Sequence, residues 1–130
     1  MKILVCGSRD WDDPYFIENW FAHFFESHDP ESVEVIHGGC HGADIIAGTI
    51  AVQNGCKVTE VKADWKRYGR KAGPIRNREM LKLGPELVVA FHDDLTKSKG
   101  TADMVRAAHD GHVVTLVLGH KPTEELGTHW

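Results

Sequence analysis

Apolar residues along this chain fall in five short runs, at positions 2–6, 33–37, 58–61, 87–91 and 113–118, separated by polar stretches that contain glycine. Runs with few polar interruptions suit strands buried on both faces of a sheet, so each is predicted to be a parallel strand. Between them the spacing changes. Ile17, Trp20, Phe21, Phe24 and Phe25 recur at helical intervals behind Pro14, which follows Asp12-Asp13 and suits the first position of a helix. A second helix is predicted over 42–54, with Gly55 closing it. Pro74 is expected to open a third, running to about residue 83 and stopped by Gly84-Pro85. A fourth is predicted over 101–109 with Gly111 behind it. Segments 63–73 and 92–100 have no clean period and are predicted to be loops.

Strands alternating with helices imply an α/β fold: a Rossmann-like three-layer sandwich with a mainly parallel five-stranded sheet, helices on both faces and right-handed crossovers. The predicted domain spans residues 1–118. Residues 119–130 read as a C-terminal tail in which Leu126 and Trp130 either pack on a neighbouring surface or fray with the chain end. There is no internal repeat or linker, and 130 residues fit one domain.

Composition narrows the function classes. Hydrophobic residues at 42% and charged residues at 26% are ordinary for a soluble globular protein. No apolar run approaches the roughly 20 residues of a membrane span, and no signal peptide is visible, so no membrane partner is expected. Cys6, Cys40 and Cys56 lack CxxC spacing and are odd in number, which favours free thiols and a cytoplasmic location. The net charge of −4 argues against coating nucleic acid by bulk electrostatics. Segment 62–82 differs, with eight Lys or Arg against two acids, and this local +6 leaves the remaining chain at −10. That segment is either built to meet an anion or is a solvated basic face.

In such sheets ligands sit outside the carboxyl ends of the strands, where helix N-termini offer free N–H groups. Three polar turns are predicted there: Gly7-Ser8-Arg9 after the first strand, Gly38-Gly39-Cys40-His41-Gly42-Ala43-Asp44 after the second, and Ser98-Lys99-Gly100-Thr101 before the last helix. Glycines let backbone N–H groups wrap an anion, so these turns are expected to leave unblocked amides around one. Asp44 either caps the second helix or accepts a hydrogen bond from a ribose hydroxyl. Arg76 is a candidate phosphate clamp on the same helix face as Met80, with Asn77 beside it. Trp65 and Tyr68, interleaved with Lys66, Arg67, Arg70 and Lys71, either stack a base or anchor the loop.

Nine histidines raise a metal question, with His37, Cys40 and His41 close in sequence and His92, Asp93 and Asp94 ending the fourth strand. Their spacing fits no established zinc pattern, so neither metal nor cofactor is expected. Gly-x-Gly-x-x-Gly is absent, which disfavours an ordinary NAD site. Cys40 has no identifiable base partner to make it a nucleophile.

Together these motifs resemble the SLOG superfamily, which includes the Lonely Guy phosphoribohydrolases and the DNA-processing protein DprA, and in particular its small YspA-like, cpYpsA-related branch. Val5-Cys6-Gly7-Ser8 is similar to the first-strand Cys-Gly-Ser of the Lonely Guy enzymes, and Gly38-Gly39-x-x-Gly42-x-Asp44 to the second-strand glycine turn. Pro74-Ile75-Arg76-Asn77-Arg78 resembles the Pro-x-Arg-Asn-Arg of DprA. Arg76-x-x-x-Met80 is also similar to the Arg-Lys-x-x-Met of the phosphoribohydrolases, and Gly100-Thr101 to the end of their Pro-Gly-Gly-x-Gly-Thr turn. The glutamate that follows that turn in those enzymes is Met104 here, the nearest carboxylate being Asp103, and Pro-Gly-Gly is replaced by Thr96-Lys97-Ser98.

The resemblance implies a module that binds or senses a nucleotide or nucleotide-derived small molecule. The alternative is an N-glycosidase acting on nucleoside monophosphates, with Arg76 holding phosphate and Asp103 steadying an oxocarbenium-like centre. A further alternative, less favoured by the acidity of the chain, is single-stranded DNA binding by segment 62–82. A homo-oligomer is expected by analogy with relatives alone.

Overall fold

A computed structural model describes residues 1–120. The five predicted strands form one parallel sheet in the order β3-β2-β1-β4-β5, with β1 at Lys2–Gly7, β2 at Glu34–His37, β3 at Lys57–Glu60, β4 at Leu87–Phe91 and β5 at Val114–Leu118. The helices are α1 Pro14–Phe24, α2 Ala43–Gln53, α3 Trp65–Tyr68, α4 Ala72–Lys82 and α5 Lys99–Asp110.

Strand alternation sorts the core into two layers. Ile3 and Val5 of β1 pack with Val35, Val89 and Phe91 against Ile17 and Phe21 of α1 and Ala47 and Ile50 of α2. Leu4 and Cys6 face the other way, with Ile36, Val88 and Ala90, against Met80 of α4 and Met104 and Ala108 of α5. Cys6 and Cys56 are both buried free thiols, as expected of small core residues. No helix among the described residues is long and apolar enough to cross a membrane.

Several boundaries differ from the sequence reading. Helix α4 begins at Ala72, two residues before Pro74, because the first N–H groups of a helix have no internal acceptor and a proline within the first turn removes nothing. The predicted loop 63–73 contains α3, capped by the Asp64 carboxylate on the Arg67 N–H at 3.1 Å, and a 3-10 turn over Gly69–Lys71. Helix α5 starts at Lys99, two residues before the predicted 101, behind a Ser98 cap whose Oγ accepts from the Thr101 N–H at 3.2 Å. Helix α1 starts as predicted, with Pro14 behind an Asp13 cap. Leu126 and Trp130 lie outside the described residues.

Chain order sets where a ligand can sit. β1 to β3 step outward in one direction, and the chain then crosses to the other side of β1 to lay down β4 and β5. The reversal leaves a crevice between the carboxyl ends of β1 and β4, the usual ligand position in open parallel sheets.

Candidate functional site

That crevice is a cavity of about 810 Å³. Ser8 and Arg9 approach it from β1, Cys40 and Asp44 from the β2–α2 turn, Trp65, Arg70, Arg76 and Asn77 from α3 and α4, and Ser98 to Thr101 from the start of α5. All three predicted turns therefore reach one place. Gly100 is on the lining, whereas Gly7, Gly38, Gly39 and Gly42 do not line the cavity and shape its walls instead. Gly42 has φ +80°, and a Cβ there would fall 2.3 Å from the Ser8 carbonyl oxygen, while a Cβ on Gly38 would meet Arg76 Nη1 at the same distance. Gly42 thus lets α2 start against the β1 turn, where the Ala43 N–H donates to Ser8 O at 3.1 Å.

The expectation of unblocked amides in three turns needs correction. In the β2–α2 turn three amides are already taken: Gly38 and Cys40 N–H donate to Asp44 Oδ2 at 2.9 and 3.3 Å, and Gly39 N–H donates to His37 Nδ1 at 2.9 Å. In the β1 turn Ser8 N–H donates to Phe91 O at 2.9 Å. The first turn of α5 offers a cradle that its own side chains leave open. There the Lys99 and Gly100 N–H groups have no hydrogen-bond acceptor among the described residues, and a Cβ on Gly100 would meet open space.

Asp44 does not cap α2, which has no side-chain cap. It is 5% exposed, and burial raises its pKa to about 6 against the opposing pull of the Cys40 and Gly38 amides and of Arg76 and Arg9. Arg76 is 9% exposed. Its Nη1 donates to Gly38 O at 2.9 Å, its Nε to Asn77 Oδ1 at 3.2 Å, and its Nη2 lies 4.0 Å from Cys40 Sγ. No described carboxylate forms a salt bridge with it.

Asp103 is placed elsewhere. Its carboxylate accepts from Arg78 Nη1 at 2.6 Å and from Asn77 Nδ2 at 3.0 Å, between α4 and α5 and off the cavity wall, and these donors hold its pKa low against partial burial. Met104, at the position of the phosphoribohydrolase glutamate, is 1% exposed in the core. Tyr68 is also not on the wall: the Arg67 guanidinium covers its ring at 5.1 Å. Trp65, 52% exposed, stands at the mouth. The basic run of segment 62–82 is dispersed rather than forming one face, since Lys62 pairs with Glu60, Arg78 with Asp103, and only Arg70 and Arg76 line the cavity.

The opposite rim is acidic and was not legible as one feature. His120, at the end of β5, sets Nε2 2.8 Å from Asp13 Oδ2 and Nδ1 3.0 Å from Asp93 Oδ1, and stacks on Trp11 at 4.6 Å. The two carboxylates hold its pKa above the ordinary histidine value. Among the described residues no three His, Cys, Asp or Glu side chains are grouped to hold a metal ion.

Residues 1–68, covering the first two turns of the site, match the YspA, cpYpsA-related SLOG family. The chain belongs to that family. A SLOG-family assignment agrees with the resemblance of the β1 and β2 turns to SLOG motifs and with the parallel sheet they terminate. The Gene 61 protein of Mycobacterium phage D29 is 38% identical over 127 residues, covering 93% of this chain and 98% of that protein. DNA processing protein A from Streptococcus pneumoniae shares the SLOG-type fold, with a TM-score of 0.72 at 18% identity over 97% of this chain. The chain spans only 53% of that protein's length. DNA processing protein A from Helicobacter pylori, whose single-stranded DNA binding mode has been described structurally, superposes with a TM-score of 0.68 at 17% identity, over 99% of this chain and 70% of that one.

Proposed function

We propose that this chain is a binding or sensing module for a nucleotide or nucleotide-derived anion held in the cavity between β1 and β4. The observation that carries this reading is Arg76, a guanidinium nine-tenths buried on the cavity wall with no carboxylate partner among the described residues. A buried unpaired charge is expensive, and an anionic ligand offsets that expense. The free Lys99 and Gly100 amides and the lysines at 97 and 99 extend the same preference for negative charge. Trp65 at the mouth offers a face for a base, and about 810 Å³ suits a ligand of nucleotide size.

The N-glycosidase alternative loses the carboxylate suggested for it by sequence, since Asp103 is held between Arg78 and Asn77 away from the wall. Binding is therefore the preferred reading. The test is a thermal-shift panel of nucleoside mono-, di- and triphosphates and dinucleotides, together with mass spectrometry of small molecules released from the purified protein. At least one anionic nucleotide is expected to raise the melting temperature. No shift with any of them and no copurified ligand would count against the reading.

A second reading, single-stranded DNA binding, is favoured by the likeness to the two DNA processing proteins and by Trp65 and Arg70 standing at one cavity mouth. A gel shift with a short single strand distinguishes it: binding that falls steeply between low and moderate salt supports it, and no complex at low salt removes it. We further propose a homo-oligomer in a reducing, cytoplasmic setting, which suits the free thiols of Cys6, Cys40 and Cys56; light scattering tests the assembly.

A further inference from the structure

Asp44 is the second buried charge on the cavity wall, and its bonding is lopsided. Oδ2 accepts both the Gly38 and the Cys40 N–H. Oδ1 has no hydrogen-bond partner among the described residues, and no buried side-chain oxygen among them is left unpartnered. Oδ1 is therefore open to the cavity that Asp44 lines. Holding the β2–α2 turn needs only one neutral acceptor, which an asparagine supplies without burying a charge. What the charge adds is an acceptor-only oxygen facing the ligand.

A carboxylate oxygen in that position repels phosphate and attracts O–H donors. Arg76 supplies the opposite preference at a fixed separation, because one residue holds both groups: Gly38 donates its N–H to Asp44 and accepts from Arg76 at its carbonyl. A ligand matching both presents an anionic group and hydroxyl donors within one sugar phosphate.

We propose that Asp44 is a specificity-determining residue that accepts a hydrogen bond from a sugar hydroxyl, so that the cavity selects ribonucleotide-type ligands over 2′-deoxy and 2′,3′-dideoxy ones. The proposal rests on the nucleotide reading above and makes that reading more specific. It also sets the cavity against a DNA strand, whose sugars lack the 2′-hydroxyl.

The experiment titrates the wild-type chain, Asp44→Asn and Arg76→Met with the four ribonucleoside 5′-monophosphates and their 2′-deoxy and 2′,3′-dideoxy counterparts, by calorimetry at neutral pH. Circular dichroism and a thermal melt establish that each variant is folded. The wild type is expected to bind at least one ribonucleotide on the order of tenfold or more tighter than its dideoxy counterpart. In Asp44→Asn that ratio is expected to shrink to within about twofold, while Arg76→Met weakens both sugars alike. Equal affinity for ribo and dideoxy forms in the wild type, with both still sensitive to Arg76→Met, overturns the role of Asp44 and leaves the nucleotide reading standing. A ratio unchanged in Asp44→Asn overturns it equally. No binding of any monophosphate overturns the role of Asp44, and overturns the nucleotide reading as well where di- and triphosphates and dinucleotides give no thermal shift and no ligand copurifies.

Discussion

Asp44 and Arg76 are tied to the two ends of the same residue, Gly38, yet form no salt bridge with each other or with any other described residue. Two buried opposite charges that close would pair if the fold were arranged for stability alone. Keeping them apart on one cavity wall costs stability and leaves each able to meet a ligand group of its own.

That cost has a pH signature. Burial raises the Asp44 pKa from 3.8 to about 6 in the folded chain, so between those values the folded state holds the proton that the unfolded state releases. Stability associated with Asp44 is therefore greatest at low pH, falls as pH rises through the window from 3.8 to about 6, and stays lost above it. Asp44→Asn keeps an acceptor for both amides and removes the charge. It is expected to be more stable than wild type by roughly 1–3 kcal/mol near neutrality, with the difference closing toward about pH 4, as read by urea denaturation across pH.

His120 has the opposite dependence. The carboxylates of Asp13 and Asp93 raise its pKa above 6.5, so the bridge is fully in place below that value and is lost as pH rises through the higher folded value. Both partners are substantially solvent-exposed, which makes the contribution modest. His120→Ala is expected to lower the melting temperature more near pH 5.5 than near pH 9, where the ion pairs are gone and the stack on Trp11 is what the variant still loses. An imidazole titration by NMR in the wild type checks the direction of the shift.

The two kinds of glycine at the site are expected to respond in opposite ways. Gly42→Ala places a Cβ 2.3 Å from the Ser8 carbonyl oxygen at positive φ, and a loss on the order of 2–4 kcal/mol is expected in denaturant unfolding. Gly100→Ala meets nothing within 4 Å in the first turn of α5 and is expected to leave stability unchanged or raise it by up to about 1 kcal/mol.

Asp103 should behave as a structural partner. Asp103→Asn weakens the tie to Arg78 and is expected to cost on the order of 1 kcal/mol in unfolding, since Arg78 is half-exposed, while changing nucleotide affinity by less than about twofold. Calorimetry on the variant checks this, and a loss of affinity of tenfold or more would put Asp103 back at the ligand.

The sheet was legible because each strand is a short, nearly unbroken apolar run ended by a polar turn, as in Ile3 to Val5 before Gly7-Ser8 and Leu87 to Phe91 before His92. The site was legible as a meeting of three turns for the same reason: parallel strands put all their carboxyl ends on one edge. Who bonds to whom was not. That Asp44 reaches back to the Gly38 and Cys40 amides, and His37 Nδ1 to the Gly39 amide, depends on side-chain directions that spacing does not encode, so three amides read as free are bonded within the turn. Pro74 misplaced the start of α4 because a proline is tolerated anywhere in the first turn. His120 carried no signal at all, since its partners Asp13 and Asp93 lie far away in sequence and come together only at the sheet edge.

The central claim is that Arg76 keeps a buried positive charge for an anionic nucleotide. It is tested most directly by comparing Arg76→Met with wild type in calorimetric titration against whichever nucleotide gives the largest thermal shift. The expected result is a loss of affinity of about tenfold to a hundredfold in a variant that remains folded. Undiminished binding by folded Arg76→Met would contradict the account.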